Sequence, residues 1–136
     1  DIDILVATKN PSRVMEIFTS MPEVSKVLAK GPTKSAVILK NGIQADVRVV
    51  DKKHYGAALM YFTGSKEYNI RLREYAMRKG FKLSEYGLFD RKTNKFVAGA
   101  TEEEIYKKLG LRYAKPEERE GSTRTLLCFL LSYANL

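Results

Sequence analysis

Apolar and polar residues alternate over the first positions of the chain. Because successive side chains of a β-strand point to opposite faces, this alternation predicts a strand with one buried face and one polar face. The face predicted to be buried consists of Ile2, Ile4 and Val6. The opposite face carries Asp1 and Asp3, so the sequence predicts two carboxylates side by side.

A second alternating segment, residues 43–50, predicts another strand. One of its faces is apolar and consists of Ile43, Ala45, Val47 and Val49, whereas the other consists of Gln44, Asp46 and Arg48. If the two strands are neighbours, Asp46 joins the first two carboxylates, and three oxygen ligands on one face suit a hard divalent cation such as Mg²⁺. A salt bridge from Arg48 to Asp46 or Asp3 is the alternative, because it would satisfy the carboxylate without a metal.

The rest of the chain alternates between strand-like and helix-like patterns. Strands are predicted for segments with alternating or β-branched residues, at 24–30, 34–40, 81–89 and 95–98, with a hairpin turn at Asn41-Gly42. Helices are predicted where apolar residues recur at helical spacing, from Pro11, at 54–62, at 65–79 and at 101–110. In the longest of these helices, one apolar stripe consists of Tyr68, Leu72, Tyr75 and Ala76. This order of elements predicts an α+β fold.

Basic residues outnumber acidic ones, with 24 lysines and arginines against 16 aspartates and glutamates and a formal net charge of +8. Such a charge is typical of proteins that bind polyanions, so nucleic acid is the first partner to test, with a gain in solubility as the alternative. Cys128 is the only cysteine, which excludes an internal disulfide and fits a reducing, cytoplasmic location. The apolar run at 126–131 is too short to span a bilayer, so no membrane partner is expected.

Eight short motifs along the chain carry a family resemblance. They are Asp1-Ile-Asp-Ile-Leu5, Lys30-Gly-Pro-Thr-Lys34, Asp46-Val-Arg48, Tyr61-Phe-Thr-Gly-Ser65, Asn69 to Arg73, Lys79-Gly-Phe81, Ser84-Glu-Tyr86 and Tyr113-Ala-Lys-Pro-Glu-Glu-Arg119. In these motifs and in their order, the sequence resembles the family X DNA polymerases, the polymerase beta group. The most specific part is Tyr-Phe-Thr-Gly-Ser followed by an asparagine and an arginine four residues apart.

The resemblance implies a nucleotidyltransferase-type palm sheet with flanking helices, followed by a small α/β thumb-like subdomain. On this basis, residues 1–63 form a partial palm and residues 64–120 form a thumb-like subdomain that binds the nascent base pair. Residues 121–136 match nothing in the family and are left unassigned, with a helix as one possible structure. Because the chain opens on Asp1, we expect a piece of a longer protein, in which the family's phosphate-binding segment precedes the first aspartate.

The resemblance also implies a magnesium-dependent site. In the family, the residues that match Asp1 and Asp3 bridge two magnesium ions, and the residue that matches Asp46 holds only the catalytic ion. The implied cofactor is therefore Mg²⁺, with two ions that activate the primer 3′-hydroxyl and stabilise the phosphate during in-line displacement, and with Mn²⁺ as a substitute. Asp46 is expected to help to deprotonate the hydroxyl, and Arg48 to pair with Asp3 when the site is not assembled.

Four residues are implied to bind the incoming nucleotide. Tyr61 and Phe62 resemble the family residues that pack beside the sugar and disfavour a ribose 2′-hydroxyl, although a core aromatic at a hinge is the alternative for Phe62. Gly64 matches a glycine whose peptide bond to the following serine is cis in the family, a costly arrangement in any non-proline bond. Asn69 is implied to reach the minor-groove edge of the incoming base.

Four further residues are implied to bind DNA. Arg73 lies one helical turn after Asn69, so the two share a face, and the resemblance assigns Arg73 to the template strand. Without the resemblance, this face would be interpreted as a solvated stripe. Lys30, Thr33 and Lys34 resemble a loop that contacts the primer strand, and phosphate contacts of this kind bind DNA without reading its sequence.

The function implied is that of a DNA-directed DNA polymerase in gap-filling DNA repair. It would transfer a deoxynucleotide from a deoxynucleoside triphosphate to the primer 3′-hydroxyl of gapped or primer-template DNA. Residues 1–136 alone are expected to polymerise weakly or not at all. Two alternatives remain open: a template-independent or small-substrate nucleotidyltransferase that shares the carboxylates, and a non-catalytic nucleic-acid-binding module.

Overall fold

The computed structural model of the chain describes residues 1–119. The chain divides into two units, of which the first spans Asp1–Lys52 and the second begins at Lys53. Each unit combines a β-sheet with one or more helices, which confirms the predicted α+β class. The boundary that the sequence predicted at Gly64 falls inside the second unit, between two helices. The helix considered for residues 121–136 lies outside the described residues.

The first unit is a four-stranded sheet with one helix. Its elements are β1 (Ile2–Ala7), α1 (Pro11–Thr19), β2 (Val24–Lys30), β3 (Lys34–Leu39) and β4 (Gln44–Val50). The strand order is β1-β4-β3-β2, in which β1 and β4 are parallel and the other pairs are antiparallel. The predicted helix start and the predicted hairpin turn are both confirmed. Asn10 caps α1 ahead of Pro11, and a turn at Gly42 joins β3 to β4.

The core of the first unit lies between α1 and three of the four strands. Its buried residues are Met15, Phe18, Val37, Ala45, Val47 and Val49. The prediction that Ile2 and Ile4 are buried is wrong for the described residues, because these side chains are 43% and 40% exposed. Only Val6 of that face packs against the core. The reason is positional: α1 packs over β2, β3 and β4, whereas β1 lies at the opposite edge of the sheet from β2, outside the main contacts of the helix.

The second unit packs three helices against a small sheet. Its elements are α2 (Tyr55–Thr63), α3 (Lys66–Arg78), β5 (Phe81–Ser84), β6 (Gly87–Asp90), β7 (Phe96–Ala98) and α4 (Glu102–Leu109). Short 3₁₀ turns at Lys52–His54 and Pro116–Glu118 precede α2 and follow α4. The three strands are antiparallel and lie in chain order. None of the helices in residues 1–119 is long and apolar enough to cross a membrane.

The strand predicted at 81–89 is two strands, which corrects the sequence interpretation. The Ser84 hydroxyl accepts a hydrogen bond from the Tyr86 amide at 3.2 Å. At this point a side chain, rather than the backbone of a neighbouring strand, is the acceptor for the amide. Gly87 follows with a φ of +141°, a conformation that favours glycine. The chain therefore reverses here, and the predicted hairpin becomes a three-stranded sheet.

The core of the second unit is built on the apolar stripe of α3. All four residues predicted for this stripe are buried, and they pack with Ile105, Tyr106 and Leu109 of α4. The hydroxyl groups of Tyr68 and Tyr106 lie 3.0 Å apart and satisfy each other inside this core. Burial raises the pKa of both tyrosines, since the charged form would lose its hydration.

Helix α4 begins at a hydrogen-bonded cap that makes stability depend on pH. Thr101 accepts a hydrogen bond from the Glu104 amide, and the Glu104 carboxylate accepts hydrogen bonds from the amides of Gly99 and Ala100 at 2.9 and 2.8 Å. The Gly99 hydrogen bond, opposed in part by burial, holds the pKa of Glu104 below its usual value of 4.5. A lowered pKa in the folded state contributes stability that is present above that value and is lost as the pH falls through the lowered pKa.

We therefore expect Glu104→Gln to flatten the acid dependence of the second unit's stability between about pH 5 and pH 3. All eight tyrosines lie at or after position 55, so their fluorescence during urea unfolding reports on this unit. Glu103→Gln is the matched control, because Glu103 is an exposed neighbour in the same turn. Equal acid dependence in the wild type and the Glu104→Gln variant would contradict the prediction.

Candidate functional site

Two carboxylates lie side by side on the sheet of the first unit. Asp3 of β1 is the register partner of Asp46 of the parallel strand β4, so both side chains project from the same face. Asp46 is half-buried and accepts a hydrogen bond from the side-chain amide of Gln44 at 3.0 Å, whereas Asp3 is exposed. The two strands that carry the predicted carboxylates are therefore neighbours. Their carboxylates form a pair in which Asp3 is the one exposed to solvent.

The third predicted carboxylate is not gathered with this pair. Asp1 is exposed and lies one residue before β1. Among residues 1–119, no three histidine, cysteine, aspartate or glutamate side chains lie close enough together to hold a metal ion. The donor set that the structure does bring together, carboxylates with a side-chain amide beside them, fits a hard cation that prefers oxygen ligands.

Basic side chains share the face of the carboxylate pair. Arg48 follows Asp46 by two positions in β4, and its register partner in β3 is Lys34. Both basic side chains therefore lie on the same face as Asp3 and Asp46. The carbonyl of Thr33 accepts a hydrogen bond from the Val49 amide at 2.8 Å, which ties the loop before β3 to β4.

Lys30 has a different environment from Lys34. Its ammonium group forms an ion pair with Glu16 of α1 at 2.7 Å, with both side chains exposed. In the ladder, Lys30 is the partner of the buried Ser35, which lies on the helix-covered face of the sheet. The structure thus brings Thr33 and Lys34 to the strand that carries Asp46, but it places Lys30 beside the helix.

In the second unit, three of the predicted nucleotide and template residues line one small pocket. Tyr61 at the end of α2 and Asn69 and Arg73 of α3 surround it, together with Ala57, Met60, Leu83 and Ser84. The side-chain amide of Asn69 donates a hydrogen bond to the Tyr61 carbonyl at 3.0 Å. Phe62 packs edge-on against Tyr61, with the ring centroids 5.0 Å apart, and both rings remain more than 40% exposed.

A turn at Gly64 and Ser65 connects α2 and α3, the two helices that line this pocket. Gly64 ends α2 with a φ of +73°, and its peptide bond to Ser65 is cis, as the family resemblance led us to expect. The Ser65 hydroxyl caps α3 by accepting a hydrogen bond from the Tyr68 amide at 3.2 Å. The Ser65 amide donates to the carbonyl of Arg119 at 3.0 Å, so the last described residue supports this turn.

Sequence reasoning assigned no role to Arg119 or Glu102, yet they form a buried ion pair. Their side chains are 1% and 8% exposed, and they lie 2.9 Å apart. The guanidinium also donates twice to the Ala114 carbonyl and lies 5.7 and 5.5 Å from the ring centroids of Tyr106 and Tyr113. Burial alone would lower the pKa of Arg119, but the hydrogen bond to Glu102 and the surrounding charges raise it. Arg119 is the last residue of the last family motif, and its place in that motif was the only indication of its role in the sequence.

Comparison with known proteins agrees with both units. Residues 58–120 match the family described as the DNA polymerase beta thumb. The chain is 36% identical over 123 residues to a DNA polymerase/3′-5′ exonuclease PolX from Bacillus subtilis, covering 89% of this chain. It is 33% identical over 102 residues to the human DNA-directed DNA/RNA polymerase mu, covering 74% of this chain. It is 38% identical over 82 residues to a repair DNA polymerase X of African swine fever virus, covering 59% of this chain.

The family match shows that this protein contains a thumb domain of the polymerase beta type. Because the match to the bacterial polymerase covers 89% of this chain, well beyond the thumb match alone, the chain belongs to the family X DNA polymerases. The chain spans 22%, 20% and 46% of the length of the bacterial, human and viral relatives.

Proposed function

We propose that this chain is the catalytic part of a DNA-directed DNA polymerase that fills gaps during DNA repair. The observation that carries the proposal is the placement of Asp3 and Asp46 as register partners on one sheet face. One of the similar proteins is named a repair DNA polymerase, which supports the choice of substrate. The proposal assigns a palm role to residues 1–63 and a thumb-like role to residues 64–120.

The proposed cofactor is Mg²⁺, with Mn²⁺ as a substitute. Its proposed ligands are the pair Asp3 and Asp46 together with Asp1, which lies outside the pair and would have to move towards it. When bound, two such ions supply the positive charge that activates a hydroxyl and stabilises a phosphate in an in-line displacement. The amide of Gln44 orients the Asp46 carboxylate, which leaves its second oxygen available. Asp46 is the proposed acceptor of the proton from the primer 3′-hydroxyl, and Arg48 balances the negative charge of this face.

The surface around the mouth of the pocket is the proposed contact with the incoming deoxynucleotide, because the cavity itself, about 20 Å³, is far smaller than a nucleotide. An amide nitrogen carries two hydrogens, so Asn69 can hold the Tyr61 carbonyl and still donate to the minor-groove edge of a base. Tyr61, Phe62 and the turn at Gly64 provide the surface beside the sugar. Arg73, on the same side of α3, is the proposed contact to the template strand.

Primer-strand binding is proposed for the loop before β3. Thr33 and Lys34 are exposed, and Lys34 lies on the face of the carboxylate pair. Lys30 is a further proposed contact, from the helix-covered face of the sheet. Its exposed ion pair with Glu16 is worth about 1 kcal/mol or less, so a DNA phosphate can replace it.

The decisive experiment is a Mn²⁺ titration of the 136-residue chain, followed by the paramagnetic broadening of its NMR signals. We expect broadening centred on Asp3 and Asp46, and at least about a tenfold weaker affinity in Asp46→Ala. Asp51→Ala is the matched control, since Asp51 is an exposed aspartate that follows β4. The absence of Mn²⁺ binding, or equal binding by Asp46→Ala, would favour the non-catalytic nucleic-acid-binding module.

A second experiment separates templated synthesis from template-independent transfer. In a polymerase active on gapped DNA, we expect Asn69→Ala to lower kcat/KM for the correct deoxynucleotide by about 3- to 10-fold, the value of one lost hydrogen bond. Glu74→Ala is the control, because Glu74 is an exposed residue of the same helix. If neither Asn69→Ala nor Arg73→Ala changes templated incorporation, the template-independent alternative would be preferred.

A further inference from the structure

Four aromatic rings form a continuous row on the second unit, and none of them lines the pocket. They follow the order Tyr86, His54, Phe96 and Phe89, and we call this row the aromatic strip. The ring centroids of successive members lie 6.2, 5.8 and 5.7 Å apart, with the ring planes nearly perpendicular. Tyr86 is 60% exposed and Phe96 is 43% exposed. Because the rings are contiguous, they form an exposed apolar patch of the kind that marks binding sites.

The strip is held by the backbone beneath it. A side-chain carbon added at Gly87 or Gly99 would come within 2.6 or 3.0 Å of the Phe96 ring, so both glycines provide a seat for this ring. The Nδ1 atom of His54 lies 2.5 Å from the Tyr86 carbonyl, which ties the other end of the row. The rings are therefore presented in a defined arrangement, and this reduces the entropy lost when a ligand binds.

The strip lies on the solvent side of the sheet. Leu88 and Ala98 point into the core, whereas Phe89 and Phe96 are register partners on the opposite face. Lys82 is the register partner of Phe89, so an exposed ammonium group extends the same row.

The strip is flanked by further positive charge. Lys53 precedes His54 in the chain and Lys95 precedes Phe96, and both lysines are exposed. The combination of open aromatic faces with neighbouring cations matches one chemistry, that of single-stranded nucleic acid, in which unpaired bases stack and phosphates need counter-charges.

We propose that the aromatic strip binds single-stranded DNA, with bases stacked on Tyr86 and Phe96 and phosphates near Lys82. None of the four rings belongs to the residues proposed to hold the metal or the deoxynucleotide, so binding to the strip requires neither. The inference goes beyond the proposed nucleotidyl transfer, so a failure of primer extension would not affect it. In a gap-filling protein, the single strand available for such binding would be the unpaired template.

The test is fluorescence anisotropy of a labelled oligothymidylate, titrated with the 136-residue chain in the presence of a chelator. We expect Tyr86→Ala and Phe96→Leu each to weaken binding by about 5- to 100-fold, the range that corresponds to loss of one base–aromatic stack. Phe96→Leu keeps an apolar side chain on the two glycines, so its fold should be retained. Lys82→Ala should reduce the dependence of binding on salt concentration.

Two controls make the outcome decisive. Met77→Ala removes a side chain that is 48% exposed on α3 and should leave binding unchanged within about twofold. A blunt duplex of the same length tests whether the strip prefers unpaired bases. The proposal would be overturned if Tyr86→Ala and Phe96→Leu bind the single strand as well as Met77→Ala does. Equal weakening of duplex and single-strand binding would also overturn it.

Discussion

Asp46→Asn is expected to reduce primer extension on gapped DNA by about a thousandfold or more in kcat. Asparagine keeps the volume and can still accept the hydrogen bond from Gln44, so the fold of β4 should be preserved. What is lost is the negative charge opposite Asp3, and with it the cation binding that is worth several kcal/mol to the transition state. Single-turnover extension measures the chemical step, with KM for the deoxynucleotide expected to change much less.

The control for this prediction is Asp51→Asn, which makes the same change of charge at an exposed aspartate of the first unit. Its rate should stay within about twofold of the wild type, since surface substitutions rarely have larger effects. If Asp46→Asn extends primers as fast as Asp51→Asn, the carboxylate pair has no part in catalysis. Because residues 1–136 alone are expected to polymerise weakly, the rates should be measured in a protein that shows extension with the natural sequence.

Removal of the guanidinium of Arg119 is expected to destabilise the second unit by about 3–5 kcal/mol. Arg119→Met leaves the Glu102 carboxylate buried without its ionic partner, and such uncompensated charges are strongly unfavourable. The Ala114 carbonyl also loses the hydrogen bonds from the guanidinium, whereas the Tyr113 hydroxyl group can still donate to Glu102. The effect should therefore not be confined to one bond. Urea unfolding followed by tyrosine fluorescence measures the loss, since all eight tyrosines lie at or after position 55.

A second substitution tests whether the buried charge is the cause. Glu102→Gln in the Arg119→Met background removes the unpaired charge and should recover at least about 1 kcal/mol. Lys107→Met is the control, because Lys107 is an exposed cation of the last turn of α4 and its loss should cost about 1 kcal/mol or less. Equal stability of Arg119→Met and Lys107→Met would contradict the assignment of a buried ion pair.

Local signals predicted most of the elements, because caps, turns and apolar stripes act over a few residues. Asn10 ahead of Pro11 and Ser65 ahead of α3 each accept the hydrogen bond that their positions predicted. The stripe of α3 is buried as its spacing indicated. The same reasoning failed at 81–89, because the segment was interpreted as one strand although it contains Ser84 and Gly87, which form the reversal.

The candidate site was predicted only in part, for a similar reason. Alternation placed Asp3 and Asp46 on polar faces of two strands, but it carried no information about which strands pair. It also predicted burial for Ile2 and Ile4, although α1 packs over the other three strands and leaves these two exposed. The pairing of Lys30 with Glu16 depends on how the helix lies on the sheet, and the spacing of residues along the chain does not indicate that arrangement.

By itself, the sequence determined the α+β composition of the chain, the residues able to carry the chemistry and, through its motifs, the family. Only the tertiary structure decided that Asp3 and Asp46 are register partners, that Tyr61, Asn69 and Arg73 share a pocket, and that Arg119 supports the turn at Ser65. The physical reason is the range of the interactions. Caps and stripes act between neighbours along the chain, whereas strand pairing and burial join residues whose separation in sequence says nothing about their distance in space.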